Sequence, residues 1–273
     1  MKLSRRAVIA AGVAGFLSFH RRGIAADADS PAKVVGEPAF LHDKGIWEIS
    51  IESPYQRGRN AVRILLPDGF KKADAHRVLY LLPVEEGLGT KWGEPLAEVR
   101  GKELHNRHNV ICVYPTFDTL PWYGRHATDK AIRHELYMTR ALIPLIEERY
   151  KTPGDASGRL MVGFSKSGWG AVSLILRNPD LFGVAGSWDA PLMMEEQDLG
   201  LFGTKGHFGE KATFADYLPT KLIARAAGDF QKRSRLVITG HDSFGPNPPQ
   251  RFKDHPHTEA FHQQLTAAGI KHV

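Results

Sequence analysis

The stretch Arg159-Leu160-Met161-Val162-Gly163-Phe164-Ser165-Lys166-Ser167-Gly168-Trp169-Gly170 decides how this chain folds. Its first six residues make an apolar run of strand length, and the residues after Ser165 read as a helix to about Arg177, so a serine stands at a strand-to-helix junction. A serine placed there occupies a strained turn with its hydroxyl raised above the sheet, and small residues two positions before and after it let strand and helix approach closely. Gly163 and Ser167 supply that room. The commonest version of the pattern has glycine where Ser167 stands, but serine is small, and Gly168 and Gly170 keep the helix start thin. This is the context of a nucleophile elbow, in which Ser165 attacks and the backbone N–H of Lys166 faces the developing oxyanion. The competing reading makes Ser165 a plain helix N-cap beside glycine-rich packing.

Working outward, the chain alternates strands with helices. Residues 46–51 alternate in polarity as a half-buried strand does, and the run 61–66 follows as its hairpin partner, stopping at the turn Pro67-Asp68-Gly69. The runs 77–82 and 110–114 are apolar on both faces, with a helix-like stretch over 94–105 between them, the signature of buried parallel strands joined by a crossover. A long periodic helix is expected over 129–150, capped by Thr128 and kinked where Pro144 leaves the Arg140 carbonyl unpaired. After the elbow come a strand near 182–188, a polar excursion over 195–209, a helix near 214–227, a strand over 235–239 and a helix over 258–268. The expected fold class is α/β, a mostly parallel sheet with helices on both faces and a ligand site at the carboxyl edge of the strands.

Several segments together resemble a known family: Val78-Leu79-Tyr80-Leu81-Leu82-Pro83, the elbow, Asn178-Pro179-Asp180-Leu181-Phe182-Gly183 and the strand that ends in Trp188-Asp189. They are similar to the putative esterase family of the α/β-hydrolases, which includes S-formylglutathione hydrolases, feruloyl and enterochelin esterases and secreted mycolyltransferases, and the likeness spans residues 46–273. It implies hydrolysis or transfer of an acyl ester by serine, acid and histidine in that chain order. Carried onto this sequence, Ser165 matches the nucleophile, Lys166 the first oxyanion amide, and the loop Pro83-Val84-Glu85 the second, through Val84 or Glu85. Pro83 stands where the family often has a His-Gly pair, and Glu85 and Glu86 bring negative charge near the expected oxyanion. The acid belongs after the strand 235–239, where Asp242 stands, with Asp189 in reserve; the bland alternative for Asp242 is a solvated loop carboxylate.

The family's histidine follows the last strand. Here Gly269-Ile270-Lys271-His272-Val273 lies where that strand begins, so the fold is expected to fall short of its last strand, with His272 inside it, and activity as a serine esterase is expected if the chain continues past residue 273. His255 and His257, before the last helix, are alternatives for a relocated base. Trp122, Tyr123 and Trp188 end or follow strands and wall either a substrate pocket or the core. The leading expectation is an esterase or acyltransferase that acts through an acyl-enzyme on a small-molecule ester and needs no cofactor. The alternative is a non-catalytic binding protein on the same scaffold.

Composition narrows the field. With 273 residues, 42% hydrophobic and 24% charged, the chain is long enough for a substantial core. Its formal charge of +6 invites a nucleic-acid partner, but Lys2, Arg5, Arg6, Arg21 and Arg22 crowd the first residues. There a basic start, an apolar run over 7–19 and small residues to Ala28 read as an export signal, and Ser4-Arg5-Arg6 gives it a twin-arginine look. Residues 1–28 are therefore expected to be a cleaved leader, 29–44 an N-terminal extension and 45–273 the hydrolase domain, in a periplasmic or secreted protein. Losing 1–28 takes the chain from 36 basic and 30 acidic side chains to 31 and 29, about +2, which argues against nucleic acid. The apolar run is too short to leave a membrane span. Cys112 is the sole cysteine and reads as a strand hydrophobe, and the 13 histidines are not spaced as metal ligands, so no metal is expected.

Overall fold

A computed structural model describes residues 32–240 and 256–273. Its strands are β1 (Lys33–Val34), β2 (Ala39–Leu41), β3 (Ile46–Ser53), β4 (Gln56–Leu65), β5 (Arg77–Leu82), β6 (Val110–Pro115), β7 (Arg159–Phe164), β8 (Val184–Trp188), β9 (Leu199–Phe202) and β10 (Leu236–Thr239). All but β9 join one sheet in the order β1-β3-β4-β6-β5-β7-β8-β10, with β2 paired to β3 at the edge. The β3–β4 hairpin and the β4–β6 pair are antiparallel, and β6, β5, β7, β8 and β10 run parallel.

The period-2 pattern of the central strands sorts their side chains onto two covered faces. Val78, Tyr80, Leu82, Ile111 and Val113 join the large core, which includes residues of the helices α5 (Lys166–Arg177), α8 (Pro219–Phe230) and α9 (His257–Ala267). Leu81, Val110, Cys112 and Tyr114 face the other way, against Leu96 and Val99 of α1 (Pro95–Gly101). Cys112 is fully buried there, and desolvation pushes its thiol up to about 12, which leaves it unreactive at neutral pH. The expected parallel sheet with helices on both faces is the fold observed.

Three helices depart from the sequence reading. The stretch 94–105 divides into α1 and α2 (Leu104–Arg107) because Glu103 takes a left-handed backbone, φ 54°. The long helix begins at His134, not near 129, and Thr128 does not cap it. Residues 129–133 instead make a turn closed by Ile132 N–H on the Asp129 carbonyl and a bridge between Arg133 and Arg125. Within that helix α3 (His134–Leu136) passes into a π-helical stretch, Tyr137–Leu142, before α4 (Ile143–Arg149). The wider π turns bring Pro144 to the first turn of α4, where a missing N–H interrupts no bond, so the extra residue per turn accommodates the proline. The third is the helix expected over 214–227. It is α7 (Lys211–Ala215) followed by α8, which Pro219 opens.

The strand order fixes where a site can form. After β5 the chain goes to β6 on one side and later to β7 on the other, so a crevice opens beyond the carboxyl ends of β5 and β7. The polar excursion, with β9 and α6 (Thr204–Phe208), reaches over this edge. The end of the described chain pairs with β10: Leu236 and His272 form a parallel bridge, and Ile238 N–H donates to the Val273 carbonyl at 2.7 Å. His272 is thus part of strand pairing.

Candidate active site

Ser165 lies between β7 and α5 at φ 51°, ψ −124°, a region non-glycine residues avoid at a cost of about 1–3 kcal/mol. Neighbouring contacts impose it. Ser165 N–H donates to the Trp188 carbonyl at 3.0 Å, and the Ser165 carbonyl accepts Trp169 N–H at 3.1 Å, the first bond of the helix. The departure at Ser167 has a local explanation: its hydroxyl donates to the Phe164 carbonyl and accepts Phe164 N–H, both at 2.9 Å, so a side chain clips the strand end to the helix start. Gly163 has no such freedom, because a Cβ there would run into the Ser167 carbonyl.

Ser165 opens into a cleft of about 560 Å³ lined by Val84, Glu85, Trp92, Leu120, Phe164, Lys166, Asp189, Pro191 and Phe202. The first amide donor expected there is the Lys166 N–H, which opens a twelve-residue helix and so has no intrahelical acceptor. The second lies in the loop after β5. The Pro83 carbonyl accepts the Tyr123 hydroxyl at 2.5 Å, and since the Pro83–Val84 peptide is trans, the Val84 N–H points the opposite way from that carbonyl. Glu85, whose charge looked out of place, has its carboxylate engaged by the Trp92 indole N–H at 3.1 Å.

The aromatic candidates separate. Tyr123 is fully buried at φ 51° beneath the loop after β5, its ring against Gly170, its carbonyl held by Arg177 at 2.8 Å, and burial keeps its phenol far above the usual range. Trp122 is also fully buried, in a satellite cluster with Trp169, Phe208 and Phe214. Neither lines the cleft. Trp188 is exposed and tilts against Phe164 with ring centroids 5.4 Å apart, beside the cleft wall and not among its lining residues. The sequence reading named neither Trp92 nor Phe202, which do line the cleft; both lie outside the strand ends that reading searched.

Asp242 and His255 lie outside the described residues. Asp189 lines the cleft at the end of β8, its N–H donating to the Thr239 carbonyl at 3.0 Å, with Gly240 tight against its carboxylate. His257 is fully buried and its Nδ1 accepts Met193 N–H at 2.8 Å, so that nitrogen cannot donate to an acid. His272 meets His262 at 2.6 Å. His134 and His207 stack 5.2 Å apart, and both are held neutral, chiefly by burial: His134 well below the usual range and His207 down to about 3. His134 anchors the loop after β6, contacting Thr119 at 3.2 Å and accepting Trp122 N–H at 3.4 Å. No histidine among the described residues lines the cleft. Among the described residues, no group of His, Cys, Asp or Glu is placed to hold a metal ion, and no helix is long and apolar enough to cross a membrane.

A strained serine between strand and helix at the switch point of a mostly parallel sheet is the arrangement of the α/β-hydrolase fold. Residues 53–273 match the family described as Putative esterase, and the chain belongs to it. Two curated proteins of Mycobacterium tuberculosis, Esterase Rv1288 and Esterase MT1326, are each 26% identical over 164 residues, 59% of this chain and 35% of theirs. The chain thus matches about a third of the length of these relatives. Among solved structures, a ferulic acid esterase is 20% identical over 89% of this chain and 88% of its own, with a TM-score of 0.59. Mycobacterium tuberculosis MPT51 (FbpC1) is 18% identical over 87% and 88%, with a TM-score of 0.62. An S-formylglutathione hydrolase from Agrobacterium tumefaciens is 15% identical over 88% and 89%, also at 0.62. At these identities the solved structures speak for the fold.

Proposed function

We propose that the protein is a serine carboxylic-ester hydrolase that works through an acyl-enzyme on Ser165. The strained Ser165 backbone at the base of the cleft carries this reading, because folding sustains such strain only where the surroundings enforce it, and here they present a hydroxyl to a substrate-sized space. In this mechanism the Ser165 oxygen adds to the ester carbonyl, the Lys166 and Val84 amides stabilise the oxyanion, and the alcohol leaves with the proton taken from serine. Water then resolves the acyl-enzyme, and an alcohol in its place gives acyl transfer.

The proton acceptor belongs outside the described residues. His257, His262, His272, His134 and His207 are engaged away from the cleft, whereas the chain between β10 and α9 carries His241, Asp242 and His255. The lack of an imidazole at the described cleft favours one second reading, a non-catalytic binder on the same scaffold. One experiment separates the two: an alkyl fluorophosphonate should label Ser165 of the full chain, and Ser165→Ala should lower hydrolysis of short aryl esters by at least ~10³-fold. Absence of both labelling and turnover in the wild-type protein sinks the hydrolase. The basic, apolar start of the chain supports export to the periplasm or beyond, and fractionation of the producing cell tests it.

A further inference from the structure

Lys166 brings to the cleft a side chain as well as an amide. The side chain is only 6% exposed and lines the cleft, yet it makes no hydrogen bond or ion pair with any of the described residues. Its ammonium lies 5.6 Å from the centre of the Trp122 ring. Two carboxylates share the cleft, Glu85, which accepts the Trp92 indole N–H, and Asp189; neither bonds the ammonium. A desolvated ammonium that no carboxylate pairs directly opposes folding. The remaining walls, Leu120, Phe164, Pro191, Phe202 and Trp92, are largely apolar. A cation that no carboxylate pairs directly, between these apolar walls and on the residue after the nucleophile, gains its return when a negative charge enters with the substrate.

We infer that the Lys166 ammonium is the specificity determinant of this cleft, selecting esters that carry an anionic group close to the scissile carbonyl. The inference rests on the esterase reading for its chemistry, but not for its binding. Burial lowers the ammonium to about 8, against the opposing pull of Glu85 and Glu86, with Lys91 adding to the lowering. The other groups around it are Asp189 across the cleft and the neutral imidazoles of His134 and His207 behind. The preference for an anion should therefore hold below pH 8 and fade as the pH rises through it.

The test uses the full chain and size-matched ester pairs followed by acid release: monomethyl succinate against methyl 4-methylpentanoate for an acyl-side anion, and acetoxyacetate against isobutyl acetate for an alcohol-side one. In one of the two pairs the wild type should favour the anion by at least about 10-fold in kcat/KM, Lys166→Met should lose that preference, and Lys166→Arg should retain it. Equal rates within both pairs, or the same ratio in Lys166→Met as in the wild type, overturn the inference. If no ester is turned over, the esterase reading fails alone. Calorimetric binding then decides with N-methylsuccinamate against N-methyl-4-methylpentanamide: tighter binding of the anion to the wild type than to Lys166→Met supports the inference, and equal binding refutes it.

Discussion

Two sets of aromatic residues flank Ser165, alike in type and opposite in setting. Behind it Trp122, Trp169, Phe208 and Phe214 are fully buried, with Trp122 and Trp169 edge to face at 5.3 Å and Trp169 stacked on Phe214 at 6.4 Å. In front Trp92, Phe202 and Trp188 are 61%, 47% and 41% exposed. The rear set binds α5 to the loop after β6 and makes the floor under Lys166. The front set leaves apolar area in water, which folding alone does not reward and which a bound ligand covers. Stability should reside behind the serine and recognition in front of it.

Breaking the rear set gives the largest expected effect: Trp122→Ala should cost about 3–5 kcal/mol in urea unfolding, and a loss near zero would dissolve the contrast. Tyr123 sharpens it, since it is buried like the rear set but its hydroxyl holds the loop that carries Val84. Tyr123→Phe should destabilise by about 1–2 kcal/mol and lower kcat about 10-fold at unchanged KM; a fall in stability without the kcat change would make Tyr123 plain core. The smallest effect on folding belongs to the front. Trp92→Ala should alter stability by no more than about 0.5 kcal/mol while raising KM for aryl esters, and a large loss of stability would assign Trp92 to the core instead.

The same contrast shows what the sequence made legible. Strand runs apolar on both faces, their alternation with helices and the small residues around Ser165 are local signals, and each led to the right element. Burial of an aromatic is not local. Trp122 and Tyr123 follow β6 in a loop while Trp188 ends β8, and only segments far along the chain decide that the first two are interior: α6 and α7 cover Trp122, and the loop after β5 and Gly170 of α5 enclose Tyr123. Lys166 was legible as an amide and not as a buried ammonium, because desolvation depends on Trp122 and the loop after β5. The helix start at His134 was hidden by the Asp129 turn, which imitates a first turn. The acid and base expectations, Asp242 and His255, fall outside the described residues and stay with the proposal.

The clip formed by Ser167 has a chemical consequence. Two serines stand two residues apart beside the same cleft, and to an electrophile the sequence offers both. In the fold Ser167 is wholly enclosed, its proton directed at the Phe164 carbonyl and a lone pair occupied by the Phe164 N–H, whereas Ser165 has its hydroxyl at the cleft. The turn thereby sorts two identical functional groups into one open to the cleft and one fastener, and which of the two a covalent probe can meet is set by hydrogen bonding before any question of reactivity arises.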